Sequence, residues 1–257
     1  MRPQIDELLP LGDLPAGARL LDLGCGSGTV AYRHFPLLRF FGLDRFAHVD
    51  TSAWPENARL TLGNARELPF ADGSFDAVVC NFVFEHFRDP RQAVRELDRV
   101  VRLGGCLYVS IPRSNSIEDI LFRFTFKGGG HLQKYTLETF LGMVYEESGF
   151  KLEALGPAPA GFTWLLDAPF SGVLLRLLYW SFRFWRWASG SNPLASGSYL
   201  LLFRLTDRAG FKRICQVCSH CGNSFSQAAW MGVKQTHASR GAWRCPVCAF
   251  ENILVDG

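Results

Sequence analysis

The sequence predicts an α/β fold: a doubly wound sheet of seven mostly parallel strands, followed by a small C-terminal module. Over about the first 155 residues, short apolar segments alternate with segments of helical periodicity, which is typical of a parallel sheet covered by helices. From Ala209 onward the composition changes to cysteine, glycine, serine and glutamine, which indicates a separate unit. The predicted domains are therefore residues 1–208 and residues 209–257.

Seven apolar segments account for the strands of the predicted sheet. The fourth follows a turn that contains Asp72 and Gly73, and Pro112 ends the fifth. We expect strands at residues 19–23, 39–43, 60–62, 75–80, 106–111, 151–155 and 198–206. The last two are predicted to form an antiparallel pair at the edge of the sheet, with residues 160–190 as a long insertion between them.

Helices are expected between the strands. The predicted helical segments are a short helix from Thr29, residues 91–101 and residues 136–148. In the second of these, Val94, Leu97 and Val100 fall on one side with charged residues between them. Gly104 follows this segment and should end the helix, because glycine readily adopts the left-handed cap.

The charge distribution and the cysteine content indicate which partners the protein could bind and in which cellular compartment it is expected. The net charge of +3 is too small to predict nucleic-acid binding, but residues 1–160 carry 17 basic and 20 acidic side chains and residues 161–257 carry 10 and 4. The C-terminal part is therefore the expected place for an anionic partner. The N-terminus lacks a signal-like apolar core, and charges interrupt the apolar region 161–187, so we expect a cytoplasmic protein. Eight cysteines in such a protein indicate metal or buried thiols rather than disulfides.

A glycine-rich turn follows the first expected strand. Residues 20–28 are LLDLGCGSG, so an aspartate precedes three glycines at alternating positions. Glycine adopts backbone angles closed to other residues and lets a ligand approach the main chain, so this turn is a candidate cofactor site. Its spacing differs from the G-x-G-x-x-G of dinucleotide-binding turns. The carboxylate would repel a pyrophosphate but attract a cationic ligand with an ammonium or sulfonium group.

The turn resembles motif I of the class I S-adenosylmethionine-dependent methyltransferases, which have a Rossmann-like fold. The resemblance implies that Asp22, Gly24, Cys25, Gly26 and Gly28 surround the cofactor S-adenosyl-L-methionine. We interpret the cysteine within the turn as a small filler, since its thiol would need a depressed pKa to react.

Three further positions continue this resemblance. Asp44 ends the second strand, where a carboxylate can accept hydrogen bonds from both ribose hydroxyls of an adenosine. Asn64 and Ala65 follow the third strand; the family usually has Asp-Ala here, and the acid accepts from the adenine amino group. The amide oxygen of Asn64 can accept the same bond. Asn81 follows the fourth strand, where the loop of the family faces the methionine part of the cofactor.

Residues 82–105 narrow the resemblance to a subfamily. The segments EHFRDP at 85–90 and RVVRLGG at 99–105 resemble the signature E-H-x-x-D-P … R-V-L-K-P-G-G of the subfamily that includes ubiquinone-pathway methyltransferases. Five motifs thus occur in the family order between residues 17 and 155. The resemblance implies an enzyme that transfers a methyl group from S-adenosyl-L-methionine to an acceptor.

Three side chains are candidate catalytic residues. Methyl transfer needs close alignment of the acceptor with the methyl group, and a general base only where the acceptor is protonated. His86 lies beside the methionine end of the cofactor in the resembling family and could take a proton, or it could pack against the following helix. His131 and Tyr135 precede the helix after the fifth strand, in a segment that often covers the acceptor pocket of this fold.

An amphipathic aromatic segment occupies the insertion at residues 160–190. In a helix over residues 170–187, Arg176, Arg183 and Arg186 would share one face, opposite several leucines and aromatics. Three interpretations fit this pattern. The apolar face packs on the sheet as a lid, lies on a membrane surface, or shapes a pocket for a lipid-like or aromatic acceptor.

Two C-x-x-C pairs in the C-terminal module predict a structural zinc ribbon. Cys218 and Cys221 form one pair and Cys245 and Cys248 the other, which meets the tetrahedral requirement of Zn²⁺. Cys215 forms a third, overlapping pair. Such a ribbon could contact RNA or protein, since basic and aromatic residues surround it.

The sequence therefore predicts a cytoplasmic methyltransferase for a small or lipid-like acceptor, with contact of residues 170–187 to the inner membrane face as one of the three open interpretations of that segment. Two alternatives remain open. The first is an RNA methyltransferase that recruits its substrate through the zinc ribbon. The second is a scaffold that keeps the methyltransferase fold without turnover.

Overall fold

The computed structural model describes the sheet domain almost throughout and the C-terminal module in short segments. The described residues are 11–46, 49–114, 116, 119, 120, 122, 124, 131–159, 177, 180, 181, 184, 196–206, 214–217, 224–226, 238–239, 242–247, 249 and 251–253.

A seven-stranded sheet forms the body of the protein, as predicted. Its strands are β1 (Arg19–Leu23), β2 (Arg39–Asp44), β3 (Ala58–Leu62), β4 (Phe75–Asn81), β5 (Val101–Pro112), β6 (Phe150–Pro159) and β7 (Ser196–Leu205). They lie in the order β3-β2-β1-β4-β5-β7-β6. The first five are parallel to one another, whereas β7 is antiparallel to both β5 and β6. The predicted antiparallel pair is therefore confirmed, with residues 160–195 between its strands.

The strand order reverses between β1 and β4. From β1 the chain moves outward to β2 and β3, and it then returns to place β4 on the other side of β1. Leu23 at the end of β1 aligns with Cys80 near the end of β4. In open α/β sheets, ligands bind beside the carboxyl ends of the strands at such a reversal, because the connections diverge there and leave a crevice.

Two helices cover one face of the sheet. Helix α1 (Pro90–Val100) begins at Asp89, whose side chain accepts a hydrogen bond from the Gln92 amide. Helix α2 (Leu137–Glu147) begins at Thr136, which forms a reciprocal capping box with Thr139. Their apolar residues pack with the buried strand residues in one continuous core. The helical periodicity in both sequence segments is thus confirmed.

The predicted glycine cap of helix α1 and the predicted helix from Thr29 were wrong. Helix α1 ends at Val100 because Val101 already pairs with Phe75 as part of β5. Gly104 lies within β5 at φ 78°, where the pairing with β4 is irregular. The expected helix from Thr29 is only a short 3₁₀ turn, Tyr32–His34. Hydrogen bonds from Thr29 to Asp22 hold the preceding backbone in the glycine turn, and Pro36 disfavours helix at the residue before it.

A buried ion pair joins the two helices. Glu147 of α2 is 8% exposed and accepts hydrogen bonds from Arg91 (2.5 Å) and Arg95 (2.6 Å) of α1. Burial raises the pKa of Glu147, but the bonds from the two arginines outweigh it, so the pKa lies below its ordinary value. This ion pair therefore stabilises the fold only while Glu147 is ionised.

We expect Glu147→Gln to lower the free energy of unfolding by about 1–2 kcal/mol at pH 7, since both arginines are half exposed and keep their hydration. Because the folded pKa is depressed, the wild-type advantage should persist above about pH 4 and disappear as pH falls through the folded pKa. Urea unfolding at pH 7 and pH 3 measures both. The exposed pair Glu153–Arg204 supplies the control: Glu153→Gln should cost under about 0.5 kcal/mol.

The C-terminal module forms small antiparallel sheets. Strands β8 (Ile214–Val217) and β9 (Ser224–Ser226) pair in one, and β10 (Ala238–Ser239), β11 (Ala242–Arg244) and β12 (Glu251–Ile253) in the other. Strand β8 also lies beside helix α2, so the module contacts the sheet domain. Cys218, Cys221 and Cys248 fall outside the described residues, whereas Cys245 is buried.

The insertion between β6 and β7 is described at four helical positions only. Leu177, Trp180 and Phe184 are 60%, 60% and 65% exposed. Among the described residues, no helix is long and apolar enough to span a bilayer. Leu174, Leu178 and Trp185, which complete the predicted apolar face, lie outside the described residues, so packing of that face on the sheet stays a prediction.

Candidate functional site

The glycine turn lies at the carboxyl end of β1, where the strand order reverses. Gly24, Gly26 and Gly28 have φ values of 68°, 48° and 109°, which favour glycine at all three positions. The amides of Gly24 and Cys25 donate to the carbonyl of Leu43 at 2.8 and 3.2 Å, so the turn is attached to the end of β2. The backbone of this turn therefore borders the predicted crevice.

A cavity of ≈ 620 Å³ opens beside the turn. This volume is within the range of small-molecule sites. The residues that line it are Leu23, Gly24, Leu43, Asp44, Arg45, Phe46, Gly63, Asn64, Ala65, Arg66, Phe82, Val83, His86, Phe87, Arg88, Asp89 and Leu132. The structure thus brings together residues from four strand ends, and five of the predicted site residues are among them.

Polar groups from β2 and β3 mark one end of the cavity. The carboxylate of Asp44 accepts hydrogen bonds from the Gly26 amide (3.0 Å) and the Phe46 amide (3.2 Å), which fixes its orientation. The side-chain oxygen of Asn64 accepts from the Arg66 amide at 3.1 Å, and Ala65 is buried beside it. These acceptors could hold the ribose hydroxyls and the amino group of an adenosine.

The segment after β4 forms an apolar wall that the sequence analysis did not name. Phe82, Val83 and Phe87 line the cavity next to His86. Phe82 has φ 52°, which is unusual for a non-glycine residue, and its amide donates to Ser110 of β5 at 3.1 Å (O) and 3.0 Å (Oγ). The position of these residues directly after β4, beside the strand reversal, was the signal that could have identified them.

Asp22 does not line the cavity. It is fully buried, and its carboxylate accepts hydrogen bonds from the Thr29 amide (2.9 Å), the Thr29 hydroxyl (2.5 Å) and the Tyr32 hydroxyl (2.5 Å). Burial raises its pKa, and the bonds from Thr29 and Tyr32 oppose that shift. The geometry therefore gives Asp22 a positioning role: it closes the glycine turn from behind. Direct attraction of a cationic ligand stays a prediction.

Comparisons with known proteins agree with this arrangement. A family profile described as a methyltransferase domain matches residues 21–109. An uncharacterized methyltransferase of Bacillus subtilis, YcgJ, is 34% identical over 106 residues; the match covers 38% of this chain and 42% of that protein, which is less than half of its length. A demethylmenaquinone methyltransferase of Bacillus licheniformis is 30% identical over 188 residues, covering 61% of this chain and 80% of that protein.

The chain belongs to the S-adenosylmethionine-dependent methyltransferases. A crystal structure described as a putative methyltransferase from Bacillus halodurans has the same fold, with a TM-score of 0.58 and 20% identity over 79% of this chain and 99% of that one. The resemblance recognised in the glycine turn and in the segment 82–105 is thereby confirmed at the level of the family.

Five predicted cofactor residues of this methyltransferase do not line the cavity: Asp22, Cys25, Gly26, Gly28 and Asn81. Cys25 is buried, and burial raises the pKa of its thiol to about 12, which agrees with an inert filler. Asn81 does not line the cavity, and its side-chain oxygen accepts from the Ser110 hydroxyl at 2.5 Å. Trp54, which the sequence analysis missed, donates from its indole to the Ser27 carbonyl at 2.9 Å. Gly28 likewise supports the turn from outside the cavity.

The candidate catalytic residues differ in their access to the cavity. His86 lines it from the 3₁₀ turn Phe84–His86, whereas His131 and Tyr135 do not. The His86 and His131 rings lie edge to face with centroids 5.0 Å apart. The Tyr135 hydroxyl is buried and donates to the Phe84 carbonyl at 3.3 Å, and burial raises its pKa. Its position supports a structural contact below the cavity wall.

Gly24 lies so close to Val83 in the cavity wall that a substitution by alanine should have a large effect. A Cβ atom on Gly24 would clash with Cγ2 of Val83, at a positive φ that side chains disfavour. We expect Gly24→Ala to destabilise the protein by about 1–3 kcal/mol and to weaken S-adenosylmethionine binding at least about tenfold. Gly142→Ala in helix α2, where a Cβ meets nothing within 4 Å, should instead stabilise by about 0.5–1 kcal/mol. Thermal unfolding and calorimetry measure the two effects.

Proposed function

We propose that this methyltransferase transfers the methyl group of S-adenosyl-L-methionine to a small, lipid-like acceptor, in the class of isoprenoid hydroquinones. One observation carries the proposal: a single cavity is lined by the polar side chains Asp44 and Asn64 and also by His86 with the apolar side chains that follow β4. The related protein of Bacillus licheniformis is named a demethylmenaquinone methyltransferase, and this name supports the same acceptor class.

The cofactor end of the cavity fits S-adenosyl-L-methionine. Bound there, this molecule supplies an electrophilic methyl group on a sulfonium. Asp44 accepts the ribose hydroxyls, Asn64 accepts from the adenine amino group and Ala65 packs beside the base. The glycine turn lets the main chain approach the methionine part, since a side chain at Gly24 would clash with Val83.

The acceptor end of the cavity suits an aromatic ring. Phe82, Val83, Phe87 and Leu132 supply apolar walls around the one exposed imidazole, that of His86. In this arrangement the apolar side chains exclude water and hold the ring, while His86 contacts an acceptor hydroxyl. Methyl transfer then depends on the close alignment of acceptor and methyl group in one cavity.

The exposed helix face in the insertion supports access to a lipid-like acceptor. Leu177, Trp180 and Phe184 recur at helical spacing and are mostly exposed. In sequence, Arg176, Arg183 and Arg186 fall within the same segment. We propose that residues 170–187 lie on the membrane surface, because apolar and aromatic residues enter the interface while arginines attract anionic headgroups.

A competition between acceptor classes tests the proposal. The purified protein is incubated with labelled S-adenosyl-L-methionine and either reduced prenylated quinones in anionic vesicles or total RNA. We expect label in the quinone fraction, and lower turnover with vesicles after Trp180→Ser. Label only in RNA, with retention that falls steeply with salt, would establish the alternative of RNA methylation through the C-terminal module.

Binding without turnover is tested separately. Calorimetry with S-adenosyl-L-methionine should show one site. Absence of binding at millimolar cofactor would support the alternative of a scaffold without activity.

We also propose that the C-terminal module holds a structural Zn²⁺ on Cys218, Cys221, Cys245 and Cys248. In sequence, the second pair falls between β11 and β12, which are antiparallel, and the Ala249 amide donates to the Cys245 carbonyl at 2.8 Å. Ala249 has φ 60°, as a tight turn around two thiolates would require. Elemental analysis should give about one zinc per chain, lost in Cys245→Ser, whereas Cys80→Ser in the sheet should retain it.

A further inference from the structure

Two distant chain segments are fastened together at the acceptor end of the cavity. The amides of Leu132 and Gln133 donate to the Glu85 carbonyl at 2.7 and 3.0 Å. The Gln133 side chain donates to the Phe87 carbonyl at 3.1 Å, and the Tyr135 hydroxyl to the Phe84 carbonyl at 3.3 Å. Four hydrogen bonds therefore hold residues 131–135 against residues 84–87. This arrangement fixes which side chains meet between the two segments.

The side chains that meet there are metal-ligand types. One ligand atom from each of Glu85, His86 and His131 lies within 4.8 Å of the other two. Ligand atoms around a first-row divalent ion lie about 3–4 Å apart, since metal–ligand bonds are about 2.0–2.2 Å. A shift of about 1 Å would bring the three atoms to that spacing. The His86 ring is exposed to the cavity, so its side chain has room for a shift of that size.

The surroundings orient His131 as a ligand. Its side chain is 10% exposed, its Nδ1 atom is buried without a hydrogen-bond partner, and the Asp119 carboxylate lies 3.6 Å from that atom. The ring of Phe122 stacks on His131 with centroids 4.8 Å apart. A carboxylate behind Nδ1 leaves Nε2 for a metal ion, which is the usual second contact of a metal-bound histidine.

Charge favours a cation at this place. Glu85 is 1% exposed, and Asp119, whose carboxylate lies 3.6 Å from His131 Nδ1, is 5% exposed. Carboxylate oxygens and imidazole nitrogens are ligand atoms for first-row divalent cations. Three side chains of these types meet beside an open cavity, and this arrangement favours a metal ion there.

We propose that Glu85, His86 and His131 bind a divalent metal ion of the Mn²⁺, Fe²⁺ or Zn²⁺ class, distinct from the cysteine site. The ion faces the cavity through His86 and coordinates the hydroxyl of the acceptor, which lowers the pKa of that hydroxyl. This role in catalysis rests on the proposed function. Metal binding itself does not.

Binding of Mn²⁺ to the purified chain, supplied with Zn²⁺ beforehand, tests the site. Mn²⁺ prefers oxygen and nitrogen ligands over thiolates, so its electron paramagnetic resonance signal separates this site from the cysteines. We expect one saturable site in the wild-type protein. Glu85→Gln, His86→Asn and His131→Gln should each weaken it by more than about 100-fold, and Asp119→Asn by about 10–100-fold.

Controls separate a folding defect from ligand loss. His34→Gln alters an exposed histidine in the turn Tyr32–His34, outside the cavity, and should leave Mn²⁺ binding unchanged. His86→Asn changes an exposed side chain, so its thermal unfolding should match the wild type. No saturable Mn²⁺ binding, or equal binding in all four site variants, would overturn the proposal. Calorimetry with S-adenosyl-L-methionine reports on the proposed function independently, whatever the outcome for the metal.

Discussion

Replacing Asp44 by alanine is expected to abolish measurable S-adenosyl-L-methionine binding while leaving the fold intact. The carboxylate lies in the cavity wall and is oriented by the Gly26 and Phe46 amides. It would accept two ribose hydroxyls, and each hydrogen bond to a charged group contributes about 1.5–3 kcal/mol. The loss should therefore exceed about 100-fold in the dissociation constant measured by titration calorimetry.

Two variants control this prediction. Asp44→Asn keeps one acceptor oxygen and should bind with intermediate affinity. Asp50→Ala removes an exposed carboxylate that accepts from the Ser52 amide, outside the cavity lining, and should bind as the wild type does. Full affinity in Asp44→Ala would contradict the placement of the ribose at this strand end.

Asp22→Ala should cost both stability and cofactor binding. The substitution removes a buried acceptor of three hydrogen bonds and leaves the Thr29 and Tyr32 donors without it. Each unsatisfied buried donor costs about 1–3 kcal/mol, so we expect the free energy of unfolding to fall by about 3–5 kcal/mol. Binding weakens as well, since the glycine turn loses the group that closes it. Urea unfolding and calorimetry on the same preparation distinguish this variant from Asp44→Ala.

A substitution at Tyr32, which donates one of the three hydrogen bonds to Asp22, supplies a control with a smaller expected effect. Tyr32→Phe removes one of the three hydrogen bonds and should cost about 1 kcal/mol, with the turn retained.

The pH dependence of stability gives a second test of Asp22. Its pKa is higher in the folded protein than in the unfolded chain, so as pH rises the carboxyl of the unfolded chain ionises before that of the folded protein. Stability contributed by this group therefore falls as pH rises from about 4 through the folded pKa, and Asp22→Asn should lack that slope. A loss below about 1 kcal/mol in Asp22→Ala would refute the positioning role.

Much of the site could be predicted because its residues follow strand ends. Asp44, Asn64 and the glycine turn each come directly after an apolar strand, and parallel strands present their carboxyl ends at one edge. Phe82 and Val83 escaped notice because apolar residues beside a strand do not differ in pattern from core residues. Their exposure to a cavity depends on the turn that β4 makes after Asn81.

Side-chain orientation could not be predicted in the same way. Asp22 and Asn81 stand at the expected strand ends, yet both turn away from the cavity, toward Thr29 and Ser110. The helix expected from Thr29 is a 3₁₀ turn, since the Asp22 carboxylate holds Thr29 in the glycine turn. A hydrogen-bond partner brought close by folding decides such choices, and the local pattern does not contain it.

By itself, the sequence determined the class of fold, the family and the strand ends that carry the cofactor residues. It could do so because the periodicity of apolar residues, the spacing of glycines and the positions of charges are local properties of the chain. The tertiary structure alone decided which of those side chains line the cavity. It also decided that Glu85 and His86 meet His131, since residues 84–87 and 131–135 are joined by hydrogen bonds across a long separation in sequence. Contacts of that kind depend on how the chain returns to the sheet.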